Sequence, residues 1–343
     1  MRNDPIFIIG TERSGSNLLR LMLNAHSRIA IPHPPHVMRD MAPFAKAYGD
    51  LSDDGRFELM AKDMARLVNS HFAPWPFNVN ARELMENAPV RSLYGLYVAL
   101  YEKYANEEGK ARWGCKSTFM FKHIQEIRTV HLSPRFLHLV RDPRDVAASA
   151  DQSIFSQYHP YLQAKLWKEE QARIEYLSRA DVLRVRYEDL VHSPEKELRR
   201  IMEFLGKEFE PSQLDFFRGR EAQSLSSLSA SWKNCAAPVS AKSVGRYRDR
   251  LLDREIALVE LEAGGLMEKY GYSTRASTAR RPNQLELMKI KLDGRLRMVS
   301  TESKALFTDS NFSLRWKKWF LLQYLNWMRS LDYGWNFRKD QNV

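Results

Sequence analysis

Three apolar runs, each closing on a charged or glycine-rich turn that opens a helix, organise this chain. Residues 5–20 (Pro-Ile-Phe-Ile-Ile-Gly-Thr-Glu-Arg-Ser-Gly-Ser-Asn-Leu-Leu-Arg) predict a buried β-strand, a glycine-punctuated turn and then a helix. A second passage of the same kind, 135–149, carries an apolar run that ends at Arg141, with Pro143 well placed for a helical first turn. The third strand is expected at Val182–Tyr187, followed by a helix from about Ser193 with Pro194 at its start and Leu198, Ile201, Met202 and Leu205 on one face.

Between the first two passages, residues 36–112 show helical patterns at Phe57–Leu67 and Leu93–Tyr104, interrupted by Pro74-Trp75-Pro76. A further helix is expected from Asp253 to Tyr270, ending near Gly271, and the serine-rich stretch 224–231 reads as a loop. Strands interleaved with helices predict an α/β fold: a parallel sheet flanked by helices, whose ligands sit beyond the carboxyl ends of the strands. Arg13 and Arg141 both fall at that end. The expected organisation is one main domain over 1–279, with 36–112 as a helical insertion on the acceptor side, and a C-terminal extension over 280–343. No internal repeat is visible.

Composition narrows the class. The 343 residues are 44% hydrophobic, enough for one large core and too many for wholesale disorder. Two cysteines, Cys115 and Cys235, are too few for a disulfide framework. With strand signal from Pro5 there is no room for a signal peptide, so a cytoplasmic protein is expected. The net charge of +11 is uneven: 280–343 holds 13 Lys/Arg and 6 Asp/Glu, a balance of +7, leaving +4 for the first 279 residues. No nucleic-acid-binding module accompanies that charge, and no nucleic-acid partner is expected.

The first turn has the chemistry of a phosphate cradle, because the unpaired amides and positive dipole of a helix N-terminus converge on one anion. In nucleotide triphosphatases the frame is G-x-x-x-x-G-K-[ST], with lysine on the phosphates and the hydroxyl on magnesium. Here Gly10 and Gly15 keep the frame, but Ser16 and Asn17 stand where the lysine and hydroxyl belong, and the positive charge has moved to Arg13. Such a cradle suits a metal-free phosphate better than a triphosphate–metal complex.

The Arg-Ser-Gly-Ser turn, followed about 125 residues later by Val140-Arg141-Asp142-Pro143-Arg144 with Ser149 on the next helix, resembles the sulfotransferases that use 3′-phosphoadenylyl sulfate (PAPS). The layout is similar to the tyrosylprotein and carbohydrate branch and covers roughly residues 5–272. The resemblance implies a P-loop nucleotide-hydrolase-like fold and in-line transfer of a sulfuryl group, without metal, to a hydroxyl or amine. It implies that Arg13, Ser14, Gly15, Ser16 and Asn17 hold the 5′-phosphosulfate and that Arg141 and Ser149 hold the 3′-phosphate. Tyr187 matches a position near the adenine, with a core tyrosine as the alternative. Arg246, in Pro238–Tyr247, matches a loop that closes over the cofactor, although the segment departs from the R-K-G-x-x-G pattern of cytosolic members.

A base must take the acceptor's proton. The window that holds a glutamate in the tyrosylprotein branch reads Ile31-Pro32-His33-Pro34-Pro35-His36 here, making His33 the first candidate, His36 the second and Glu12 the third. Lys116 aligns with a lysine that reaches the transferring group, where a cation stabilises developing charge together with Arg13. The acceptor class stays open among carbohydrate, lipid, peptide and small molecule. Rival readings are a P-loop kinase-like phosphotransferase and a nucleotide-binding protein without transfer activity.

The extension can place Trp316, Phe320, Tyr324 and Trp327 on one helical face. Packing of those aromatics into the main body is the leading expectation, with an interfacial membrane helix or a dimer contact through 313–331 as alternatives.

Overall fold

A computed structural model describes residues 4–150, 157–177, 180–228, 230–275, 279–308 and 312–340 of the chain. In chain order the strands are β1 (Ile6–Gly10), β2 (Ile29–Ala30), β3 (Arg112–Cys115), β4 (Arg135–Val140) and β5 (Val182–Arg186). The helices are α1 (Ser16–Asn24), α2 (Val37–Met41), α3 (Asp54–Asn69), α4 (Ala81–Asn87), α5 (Leu93–Glu107), α6 (Ile124–Val130), α7 (Pro143–Ala150), α8 (Pro160–Ile174), α9 (Tyr187–His192) and α10 (Pro194–Phe204). They continue with α11 (Arg220–Leu228), α12 (Tyr247–Arg250), α13 (Asp253–Lys269), α14 (Gln284–Thr308) and α15 (Phe312–Asp340). The five strands form one parallel sheet in the order β2-β3-β1-β4-β5, flanked by helices: an α/β fold.

The chain divides into two compact units. The second, residues 7–27 and 135–309, contains most of β1, all of β4 and β5, and α1. β4 pairs with β5 from Phe136↔Val182 to Val140↔Arg186. Every residue of β1 is buried and β4 is buried from Phe136 on, as runs of Ile, Phe, Leu and Val require in a sheet covered on both faces. Val140, Val146, Trp167, Ala263 and Met267 join β4 to α7, α8 and α13 in one apolar cluster. Pro194 opens α10, with Leu198, Ile201 and Met202 buried as the sequence predicts. The expected loop at 224–231 is instead helical through Leu228: α11 buries Ala222 and Leu225 one turn apart, and its serines face outward or bond their own helix.

The first unit comprises residues 1–6, 28–134 and 310–343. Asp53 caps α3 by accepting from Arg56 N, and Ser92 caps α5 by accepting from Gly95 N. α5 is buried nearly all round, from Leu93 to Ala105. β2 and β3 pair in parallel at Ile29↔Arg112 and Ala30↔Trp113. α15 does pack back, on α3 and the 3₁₀ segment Ala42–Tyr48, but its orientation overturns the expectation for the aromatics. Lys318, Leu325 and Arg329 face inward, while Trp316, Trp319, Phe320, Tyr324 and Trp327 are 41–60% exposed. Among the described residues no helix is long and apolar enough to cross a membrane.

Candidate functional site

β1 can leave the sheet beside β4 only because residue 10 is glycine: a Cβ there would collide with the Leu139 carbonyl oxygen, and its φ is +147°. The loop that follows turns sharply. Arg13 (φ +72°) and Gly15 (φ +92°) both sit in the left-handed region, which is strained backbone for an arginine. Ser14 N donates to Thr11 O at 3.3 Å, and no side chain caps α1, so the first amides of that helix open onto the loop. Ser14 is fully buried, and its hydroxyl finds no hydrogen-bond partner among the described residues.

Arg141, one residue past β4, meets this loop. Its Nη1 donates to Arg13 O at 3.1 Å and its Nη2 to Ser243 O at 2.7 Å, while Trp167 Nε1 donates to the Arg141 carbonyl at 3.1 Å. The guanidinium lies 4.4 Å above the Tyr187 ring. That ring also presses on Gly15, where a Cβ would collide with it, and the Tyr187 hydroxyl shares a 2.6 Å hydrogen bond with the Ser243 hydroxyl. Arg13 Nε donates to Ser149 Oγ on α7 at 2.9 Å. Burial, and then the Arg141 charge, hold the Arg13 guanidinium below its ordinary pKa, with Glu12 pulling weakly the other way.

The Arg-Asp-Pro-Arg run divides its labour. Arg144 forks onto Asp142 and reaches Glu260 at 2.6 Å, a buried ion-pair cluster that fixes the start of α7. Arg141 is left to the cradle, with its Nε buried and without a partner among the described residues. Glu188 accepts from Asp142 N at 3.0 Å and from the Tyr272 hydroxyl at 2.7 Å, tying the start of α9 to the same turn. Asp145 accepts from the amides of Gly245 (2.7 Å) and Tyr247 (3.0 Å), pinning the 240s loop beside Arg141. Arg246 lies between those two amides with its side chain exposed.

Two like-charged guanidinium groups, an unsatisfied buried hydroxyl, an unsatisfied guanidinium nitrogen and an uncapped helix N-terminus converge here. Each of them asks for an anion. Sequence spacing brought Arg13, Ser14, Gly15, Arg141, Ser149 and Tyr187 to this place. Ser243 and Asp145 were missed, the first because a residue a hundred positions away leaves no local signal, the second because an acid in a first helical turn reads as dipole complementarity.

His33, His36 and Lys116 belong to the first unit. His33 is 5% exposed between its prolines; its Nδ1 shares a 3.1 Å hydrogen bond with His71 Nε2, and its carbonyl accepts from Trp75 Nε1 at 3.0 Å. His71, absent from the sequence reading, is buried, and its Nδ1 lacks a partner among the described residues. His36 has φ +58°, and its Nδ1 lies 3.5 Å from Ser117 Oγ. Burial first, then Arg39, Lys116, Lys318 and His33, keep His36 well below the usual histidine pKa; burial, Lys318 and Arg39 do the same to His71. Both rings are therefore neutral, proton-accepting imidazoles at neutral pH.

Comparison with known proteins points one way. The model of the sulfotransferase family matches residues 5–211. Carbohydrate sulfotransferase 1 of Danio rerio is 23% identical over 354 residues, covering 85% of this chain and 82% of its own. Among solved structures, the sulfotransferase domain of the Synechococcus PCC 7002 olefin synthase superposes with a TM-score of 0.56 at 22% identity, covering 80% of this chain and 98% of the other. The sulfotransferase domain of the curacin biosynthetic pathway gives 0.56 at 20%, covering 80% and 99%.

Proposed function

Because the chain belongs to the sulfotransferase family, we propose that it moves a sulfuryl group from 3′-phosphoadenylyl sulfate to a hydroxyl or amine acceptor by in-line displacement, without metal. The bond from the acceptor oxygen or nitrogen to sulfur forms, the bond from sulfur to the 5′-phosphate oxygen breaks, and the acceptor proton passes to a base on the protein. The leaving group is 3′-phosphoadenosine 5′-phosphate.

The observation that carries this reading is the meeting of Arg13 and Arg141. Two arginines from separate strand ends meet where Arg141 Nη1 donates to Arg13 O, and Arg141 Nε is buried without a hydrogen-bond partner among the described residues. In this reading the Arg13–Asn17 loop takes the 5′-phosphosulfate, Arg141 and Ser149 take the 3′-phosphate, Tyr187 lies near the adenine and Arg246 closes from the 240s loop. Ser16 and Asn17, where a triphosphatase carries lysine and a magnesium ligand, support a metal-free donor. Lys116 and Arg13 stabilise charge on the sulfuryl oxygens, and His33, His36 or Glu12 accepts the proton, His33 first because its hydrogen bond to His71 fixes the ring. A carbohydrate hydroxyl heads the acceptor panel on the strength of the Danio rerio relative's name.

Calorimetric titration with 3′-phosphoadenosine 5′-phosphate in the presence of a chelator tests the donor site. Binding is expected, with Arg141→Ala weakening it by about 10–100-fold, the range for charge-assisted hydrogen bonds. ATP binding that demands magnesium, with no response to the bisphosphate, would overturn the reading. Transfer of labelled sulfate to the acceptor panel tests the chemistry: if His33→Ala, His36→Ala and Glu12→Gln all leave its rate unchanged, the base lies elsewhere.

A further inference from the structure

α15 is amphipathic in the reverse sense to an ordinary packed helix. Two of its cations point inward: Lys318 Nζ reaches Asp40 at 2.7 Å and the Pro35 carbonyl at 2.7 Å, and Arg329 Nε donates to Asp63 at 2.9 Å. Five of its aromatic side chains point outward, while Leu325 is buried. Trp316, Trp319, Phe320, Tyr324, Trp327 and Leu331 are 41–60% exposed along one face, three or four residues apart except for the adjacent Trp319 and Phe320. Trp316, Trp319 and Phe320 already touch one another, with ring centroids 5.0–5.6 Å apart, so the helix carries a preformed aromatic cluster. A buried ion pair costs desolvation that an apolar contact would not, so packing energy alone does not account for turning lysine and arginine inward and tryptophan outward.

We propose that this face of α15 is a docking surface for an anionic phospholipid bilayer, which takes the aromatic rings at headgroup depth. Three observations select that occupant. Tryptophan and tyrosine have an apolar body and a polar edge, which suits the boundary between headgroups and acyl chains. With Lys318 and Arg329 taken up in buried pairs, Arg315, Lys317, Arg338 and Lys339 against Asp332 and Asp340 leave residues 312–343 a balance of +2, which favours an anionic surface over a second copy of the same helix. The stripe from Trp316 to Leu331 is a strip of roughly 22 Å by 10 Å, far short of the about 800 Å² that each partner of a stable dimer buries. Lys317, exposed at the edge of the stripe, adds a cation at headgroup level. Among the described residues no helix is long and apolar enough to cross a membrane, and attachment through this face is peripheral and reversible.

The experiment uses the full chain and two vesicle preparations, phosphatidylcholine alone and phosphatidylcholine mixed with phosphatidylglycerol. Flotation with the mixed vesicles is expected, together with weaker flotation on phosphatidylcholine and loss of binding as salt is raised. The triple variant Trp319→Ser, Phe320→Ser, Trp327→Ser is expected to lower partitioning by about tenfold or more, with bisphosphate affinity and melting temperature unchanged. Quenching of the native tryptophans by brominated acyl chains gives a readout that needs no variant. No flotation on either vesicle, absence of quenching, or a triple variant that floats like the parent each overturns the proposal. A concentration-dependent dimer that the triple variant abolishes, without vesicle binding, assigns the face to a second copy instead.

Discussion

A methyl group at residue 15 would have to occupy space filled by the Tyr187 ring, on backbone with φ +92°. The same ring supports the Arg141 guanidinium and bonds Ser243, so displacing it disturbs three contacts of the cradle at once. Gly15→Ala is therefore expected to weaken 3′-phosphoadenosine 5′-phosphate binding by about tenfold beyond the cost of the strain itself, about 1–3 kcal/mol of stability. Gly109→Ala is the control. Its φ is +64° but nothing lies within 4 Å of the added carbon, so it is expected to cost about 1 kcal/mol in stability and nothing in affinity. Equal affinity losses in the two variants would mean that Tyr187 does not hold the cradle. At this scale the sequence was informative where chemistry is local: glycines and an arginine between a strand and a helix have few other uses. It was silent on His71 and Ser243, whose roles arise only when distant segments meet.

The same logic separates the elements that could be read from those that could not. β1, β4 and β5 announce themselves as apolar runs followed by turn and helix signals, and α10 by Pro194 and its buried stripe. β2 is two residues long and β3 is Arg-Trp-Gly-Cys, too short for any period to register. α15 was legible as a helix but not in its facing, because hydrophobic patterning places tryptophan inside and here two buried ion pairs decide the orientation. Asp63 accepts from both Arg329 (2.9 Å) and the Tyr48 hydroxyl (2.9 Å) with its own side chain fully buried. Asp63→Asn takes the carboxylate out of this buried ion pair, and urea unfolding is expected to show a loss of about 3 kcal/mol. The pair Asp63→Leu with Arg329→Met removes both charges and is expected to recover a large part of that loss. A double variant as unstable as the single would show that shape, not charge, sets the latch.

Across the whole molecule, buried histidines make stability depend on pH in a direction that can be worked out. His138, bonded to Gln171 and fully desolvated, is pushed down to about 4, and His131 likewise to about 4, both mainly by burial; His36 and His71 also lie well below 6.5. As the pH falls below 6.5 the unfolded chain takes up protons on these rings while the folded chain does not, so their stabilising contribution, complete above 6.5, drains away towards pH 4. Asp145 and Glu188, raised by burial, act in the opposite direction, because the folded carboxyls bind protons more readily than the unfolded ones. These four histidines stand against the two carboxyls, so the histidines set the sign of the net slope. Unfolding free energy is thus expected to fall from neutrality into mild acid by up to about 1.4 kcal/mol per pH unit for each histidine involved. His138→Gln keeps a polar side chain opposite Gln171 and removes the titrating group, so its curve is expected to be flatter by one such increment whatever its stability at neutral pH. An unchanged slope in that variant would show that His138 is protonated in the folded protein and that its bond to Gln171 is made by the imidazolium.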